Sequence, residues 1–181
     1  MMNPFSENLI FFDTEFSGLN PYTGEILSIG MVKMNGEELY CELEYEGEVS
    51  DWVKTKLLPE LTAPKVSRKE GAERILAFAG DTKPYLIAYV MEYDTAFLYK
   101  LLGVNNQKGN RDLPYHWIVL DFASMLFALG KNPTDFPSQD KVALAKELGI
   151  DIEKYRTHHA LDDAKLLREV YLKLFHNNMI Q

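Results

Sequence analysis

Residues 8–15 read N-L-I-F-F-D-T-E, an apolar, β-prone run that closes on two carboxylates two positions apart. A run of that kind has to be buried along most of its length, which predicts an interior strand with Asp13 and Glu15 at its carboxyl end. Side chains two apart on a strand share a face, so the two carboxylates stand side by side. Like charges held that close repel each other. A hard divalent cation would relieve them, since magnesium and manganese prefer oxygen ligands and keep positions open for water and phosphate. Taken alone, D-x-E is also a common solvated strand end, and the tripeptide decides nothing by itself.

The rest of the chain has to build a sheet around that strand. Residues 18–24 (G-L-N-P-Y-T-G) turn the chain into a second strand over 25–34, and Asn35-Gly36 signals a two-residue hairpin into an alternating third strand over 37–45. A short helix is expected over 50–58, stopped by Pro59. Another begins at Ser67, where S-R-K-E has capping-box spacing, and runs to Ala79. Residues 85–91 form a short apolar strand, and Asp94 opens a helical stretch that Gly103 can end. A polar loop over 105–114 leads to a strand near 117–120 and helices near 122–129, 138–148 and 161–175. The expected fold class is α/β: a mixed sheet, three antiparallel strands followed by parallel ones, flanked by helices.

At 181 residues, with 46% hydrophobic and 25% charged, the chain has the balance of one globular domain, expected to span 1–181. The single cysteine, Cys41, has no disulfide partner and reads as a packing residue. Neither a secretory leader nor an apolar run of membrane-spanning length is visible, so a cytoplasmic protein with no membrane partner is expected. A net charge of −8 excludes a surface that grips duplex phosphates all over, so any nucleic-acid contact must be local. Much of that charge, Glu37, Glu38, Glu42, Glu44, Glu46, Glu48 and Asp51, reads as one solvated hairpin face.

Two further places carry chemistry. Asp94 follows a short apolar strand and begins a helix, where an N-cap is its ordinary role. In an open sheet, however, ligand groups gather at the carboxyl ends of strands, and Asp13, Glu15 and Asp94 all fall there. Near the end of the chain stands T-H-H-A-L-D-D-A, with paired histidines and paired aspartates leading into the last helix. A neutral imidazole near a divalent ion is suited to take a proton from water, and one histidine and one aspartate of the four suffice.

The ordered set D-T-E, Y-D-T-A-F-L and H-H-A-L-D-D-A resembles the three exonuclease motifs of the DEDD superfamily, which has the ribonuclease H-like fold and includes proofreading subunits, ribonuclease T and oligoribonuclease. The third motif, H-x-A-x-x-D, marks the branch with a histidine base (DEDDh). It aligns with His158, Ala160 and Asp163, and so selects His158 over His159 and Asp163 over Asp162. The two left over read as an exposed His159 and a helix N-terminal charge at Asp162. Two departures stand out: Phe16-Ser17-Gly18 replaces the Thr-Gly that many relatives carry, and Val90 stands where an asparagine often precedes the second motif. With S-D-W-V-K-T-K-L-L-P at 50–59 and Y-D-T-A-F-L-Y-K-L-L-G at 93–103, they resemble small stand-alone bacterial 3′–5′ exoribonucleases.

The resemblance implies two magnesium or manganese ions, one held by Asp13, Glu15 and Asp163 and the second by Asp13 and Asp94. It implies His158 as general base and release of nucleoside 5′-monophosphates from single-stranded 3′ ends, with RNA favoured over DNA. A homodimer is an expectation of the same kind. Single-stranded ends are gripped by aromatic stacking and a few cations, which makes Phe16 and Tyr93 candidate substrate contacts, with Tyr22, Lys108 and Arg111 behind them. Three other readings stay open: a proofreading-type DNA exonuclease, a non-catalytic nucleic-acid-binding module on the same fold, and a metal-dependent phosphatase. Retention of all four carboxylates argues against the second.

Overall fold

The computed structural model describes residues 5–104, 113–135 and 142–175. The expected strand around Asp13 is β1 (Leu9–Phe16), one of the two central strands of a sheet that has six strands among the described residues. β2 (Ile26–Lys33) and β3 (Glu38–Leu43) follow antiparallel, and β1 pairs in parallel with β5 (Tyr85–Ala88) on its other side. Two-residue strands β4 (Lys65–Val66) and β6 (Leu120–Asp121) edge the sheet in parallel with β3 and β5, giving the order β4-β3-β2-β1-β5-β6. This is the mixed sheet expected. β4 has no sequence signal, because two residues of strand carry no readable alternation.

The alternation of β1 divides the core. Leu9 and Phe11 face α5 (Ala160–Phe175) and pack with Leu166, Leu167, Val170 and Tyr171. Ile10 and Phe12 face the opposite side, where α1 (Arg68–Ala79) and α2 (Met91–Leu101) contribute Ile75, Phe78, Phe97 and Leu98. Each of these buried side chains contributes roughly 1.5–3 kcal/mol of hydrophobic stabilisation, so both layers are firmly seated. α3 (Phe122–Ala128) and α4 (Val142–Glu147) complete the α5 side. Among the described residues, no helix is long and apolar enough to cross a membrane.

Several local expectations shift for identifiable reasons. The β2–β3 turn is a three-residue loop: the N–H of Gly36 bonds to Lys33 and the N–H of Lys33 to Glu37. Only Gly36 takes a positive φ, 91°, whereas the two-residue turn would need one at Asn35 as well. Residues 53–57 form a π-helical turn, and Pro59 lies inside the 3₁₀ turn Leu58–Glu60 at a helix start, where its missing N–H is not needed. Ser67 does cap α1, its hydroxyl accepting the N–H of Glu70 at 3.2 Å. β5 stops at Ala88 rather than 91, and the strand near 117–120 contracts to Leu120–Asp121 with Trp117 exposed. The start of the 138–148 helix and the loop carrying Lys108 and Arg111 lie outside the described residues. Cys41 is buried and unpaired with another cysteine.

Candidate active site

β1 outruns its neighbour. Its parallel pairing with β5 covers only Leu9 to Phe11, so Asp13, Thr14 and Glu15 extend past the carboxyl end of β5. On the other side, β2 continues alongside and sets Gly30 opposite Asp13. Gly30 is what admits the last helix: a Cβ built there would overlap the backbone of Ala160 and Leu161. The start of α5 therefore lies directly on the sheet beside Asp13, and Asp163, on its first turn, joins Asp13 and Glu15. Oxygens of these three carboxylates lie within 4.8 Å of one another.

Three carboxylates at that separation repel by on the order of 1–3 kcal/mol per pair at surface-like effective dielectric constants. Their spacing suits a shared hard cation. Two oxygens bound to one magnesium or calcium-sized ion can be no farther apart than about twice a 2.0–2.6 Å bond, or roughly 4–5 Å. The helix N-terminus adds a favourable field for the negative charge of Asp163. The donor set is all oxygen, so Asp13, Glu15 and Asp163 fit a divalent metal.

Asp94 stands apart from that cluster. α2 begins at Met91, three residues earlier than expected, so Asp94 lies within the first turn and is not its N-cap. Its Oδ1 accepts both the N–H (2.9 Å) and the hydroxyl (2.6 Å) of Thr14. The carboxylate thus occupies the place where β5 would have continued the ladder. Burial pushes Asp94 up to about 7, against the lowering effect of the two Thr14 hydrogen bonds. The connection before it is strained, since Val90 takes φ 51° in the left-handed region, an outlier for a β-branched residue.

The paired residues of the third motif separate cleanly. His158 is exposed and meets the Trp52 ring edge-to-face at 5.1 Å. His159 is not exposed as expected but buried: its carbonyl accepts the N–H of Asp163 at 3.0 Å, and its Nδ1 accepts that of Asp162 at 3.4 Å. It is the N-cap of α5, a role normally taken by Ser, Thr, Asp or Asn. Burial, with positive Arg156 nearby, holds its imidazole below the ordinary value, in keeping with a ring nitrogen that accepts. Asp162 is also buried, and its Oδ2 receives the N–H (3.2 Å) and Nε (2.7 Å) of Arg156. Burial pushes the Asp162 carboxyl up and these hydrogen bonds outweigh it, leaving the group below its usual range.

Of the candidate substrate contacts, Phe16 is partly buried with one face stacked on Phe97, centroids 4.3 Å apart, while Tyr93 and Tyr22 are exposed. Glu42 departs from the solvated hairpin face assigned to it. It is 1% exposed and accepts the Tyr40 hydroxyl and the Ala63 N–H, both at 3.0 Å. It pairs with Ser28, itself opposite Glu15, so its side chain turns toward the face covered by α5. Sequence reading missed Gly30, Tyr40 and Trp52, and only the glycine in an otherwise apolar strand pattern could have signalled a close approach.

A family model described as Exonuclease, of the RNase T type, matches residues 10–171, most of the chain. The chain belongs to the exonuclease family. Its curated relatives include the PolC-type DNA polymerase III of Thermotoga maritima, 27% identical over 174 residues, and the epsilon subunit of DNA polymerase III from Haemophilus influenzae, 28% identical over 188. The matches cover 91% and 96% of this chain, which spans only 12% of the first relative's length and 69% of the second's. Solved structures share the fold at low identity. S. pombe Pop2p, in a Mg2+- and Mn2+-bound form, superposes with a TM-score of 0.68 at 15% identity, covering 93% of this chain and 82% of that one. A zinc-bound E. coli exonuclease I–ssDNA complex gives 0.69 at 15%, covering 94% and 41%. The fold of this exonuclease-family chain is thus the ribonuclease H-like one.

Proposed function

We propose that this chain is a 3′–5′ exonuclease that releases nucleoside 5′-monophosphates from single-stranded nucleic acid, with two divalent ions, magnesium or manganese, held by Asp13, Glu15, Asp94 and Asp163. The observation that carries the reading is the convergence of Asp13, Glu15 and Asp163 within 4.8 Å at the carboxyl edge of the sheet in a chain of this family. When bound, such ions polarise the scissile phosphodiester and make the attacking water more acidic. Asp13 is the carboxylate assigned to both ions: it belongs to the cluster with Asp163 and directly precedes Thr14, which holds Asp94. Asp94 enters already oriented by Thr14, so little of its freedom remains to be lost on binding. His158 is exposed two residues before α5, where its imidazole can accept the proton of the attacking water. Phe16 and Tyr93, next in sequence to Glu15 and Asp94, the second and third of the four carboxylates, are assigned to the terminal bases.

RNA is the proposed substrate, on the resemblance of residues 16–18, 50–59 and 93–103 to stand-alone exoribonucleases. DNA is the second reading, favoured by relatives that are components of DNA polymerase III. The same proposal treats residues 1–181 as one exonuclease domain of a cytoplasmic protein that works as a homodimer. Purified protein with manganese or magnesium is expected to shorten a 5′-labelled oligoribonucleotide stepwise, faster than the matching oligodeoxyribonucleotide. Both substrates left intact with either metal would sink the exonuclease reading, and faster DNA trimming would transfer it to the second.

A further inference from the structure

Tyr40 is paired with Gly30 on β2, and Gly30 with Asp13 on β1, so the three lie in one row on the face that carries the carboxylate cluster. The Tyr40 ring stacks on the buried His159 imidazole, centroids 4.5 Å apart and planes 26° from parallel. At its other end the hydroxyl donates to Glu42 at 3.0 Å. Glu42 is itself immobilised, 1% exposed and accepting the Ala63 N–H at 3.0 Å. Tyr40 is therefore a ring fastened at its far end and pressed flat against the N-cap of α5.

What that cap controls is the residue before it. His158 takes φ 58°, a left-handed conformation that costs a non-glycine residue on the order of 1–2 kcal/mol and persists only where the surroundings enforce it. Its chain neighbour His159 is held on three counts: the Asp163 N–H on its carbonyl, the Asp162 N–H on its Nδ1, and the Tyr40 ring on its face. The first two are ordinary capping and would be made as well by asparagine. The third requires an aromatic ring on the imidazole and has no capping purpose.

We propose that Tyr40, anchored by Glu42, is a positioning residue: by clamping the His159 ring it holds His158 in its left-handed conformation against Trp52, where the proposed proton transfer needs it. The inference rests on the reading of His158 as general base, but its geometric part can be tested without activity. Two variants separate the clamp from stability. Tyr40→Leu removes the ring, and His159→Asn keeps a good helix cap while removing the imidazole that Tyr40 grips. Tyr40→Phe retains the stack and loses only the anchor.

In the wild-type protein, NMR is expected to give a cross-peak between the Trp52 indole and the His158 imidazole, weakened in Tyr40→Phe, which keeps the stack without the anchor, and lost in both Tyr40→Leu and His159→Asn. In the presence of manganese, kcat should fall about tenfold or more in the last two, within the span a general base contributes, while manganese affinity by calorimetry and KM stay near wild type. If Tyr40→Leu does not fold, His159→Asn carries the test. Retention of the cross-peak and of wild-type kcat in either folded variant overturns the proposal. A wild-type protein without nuclease activity overturns the functional reading instead, and the cross-peaks still decide whether Tyr40 positions His158.

Discussion

Gly30 and Leu161 touch backbone to backbone, with no room between β2 and the first turn of α5 for even a methyl group. That contact sets the depth at which Asp163 enters the sheet edge, since Asp163 follows Leu161 by two residues and Gly30 lies opposite Asp13. The carboxylate cluster is thus made by a glycine that carries no functional group.

Substitution of Gly30 by alanine should therefore act on metal binding as well as on stability. Overpacking ordinarily costs about 1–3 kcal/mol, and here the obstructing atoms are backbone, which cannot rotate away. Gly30→Ala is expected to unfold at lower temperature and to bind manganese at least tenfold more weakly by calorimetry. An unchanged manganese affinity would show that the helix can lift without moving Asp163 away.

Removing one member of the cluster should separate binding from folding. Asp13→Asn relieves the repulsion among the carboxylates, so the metal-free variant should melt at or above the wild-type temperature while losing manganese affinity and exonuclease activity. Wild-type protein should in turn gain about 2.7 kcal/mol of stability at a metal concentration one hundred times its dissociation constant. Stripping with EDTA should abolish that gain together with activity, and added manganese should restore both.

Asp94 predicts a pH dependence of the metal-free protein. Its folded value near 7 lies above the ordinary unfolded value of about 3.9, so from pH 4 to 7 the unfolded chain gives up this proton while the folded one keeps it. The contribution of Asp94 is therefore fully present below pH 4 and lost as pH rises towards 7, by up to about 4 kcal/mol. Asp94→Asn should flatten this part of the stability profile in EDTA, measured by denaturant titration at several pH values. A profile identical to wild type would place the buried proton elsewhere.

Arg156 should matter although it is not a member of the carboxylate cluster. It satisfies the buried Asp162 carboxylate through both its side chain and its backbone N–H. Arg156→Leu leaves that carboxylate with half its support, at a cost of about 1–3 kcal/mol. Because the variant also loosens the start of α5, its melting temperature should fall, and Arg156→Lys should restore only part of the loss, lacking the guanidinium Nε that makes the 2.7 Å bond.

The ladder from Leu9 to Phe16, the helices begun at Ser67 and closed before Gly103, and the helix of the last motif are all legible in the chain, because each rests on local periodicity and on caps whose chemistry is local. Where expectation and structure part, the deciding contact is remote. Asn35 gives a hairpin signal but not the turn type, which depends on how many residues the sheet twist can accommodate. Glu42 has the composition of a solvated strand and is buried, because α5 covers its face. Asp94 has the look of an N-cap and instead completes the ladder of a strand eighty positions earlier.

The sequence by itself determined which residues can do chemistry here: acidic side chains at strand and helix ends, a histidine before a helix, and the order in which they occur. Side-chain type and period of two or 3.6 are properties of the chain, and they persist in any fold the chain adopts. Only the tertiary structure decided which of these groups meet. Gly30 lets α5 press on β2 until Asp163 reaches Asp13 and Glu15, Thr14 draws in Asp94, and burial makes a helix cap of His159 while leaving His158 in solvent. The reason is physical: proximity, exclusion of water and backbone clearance arise between segments far apart in the chain, and no local pattern encodes them.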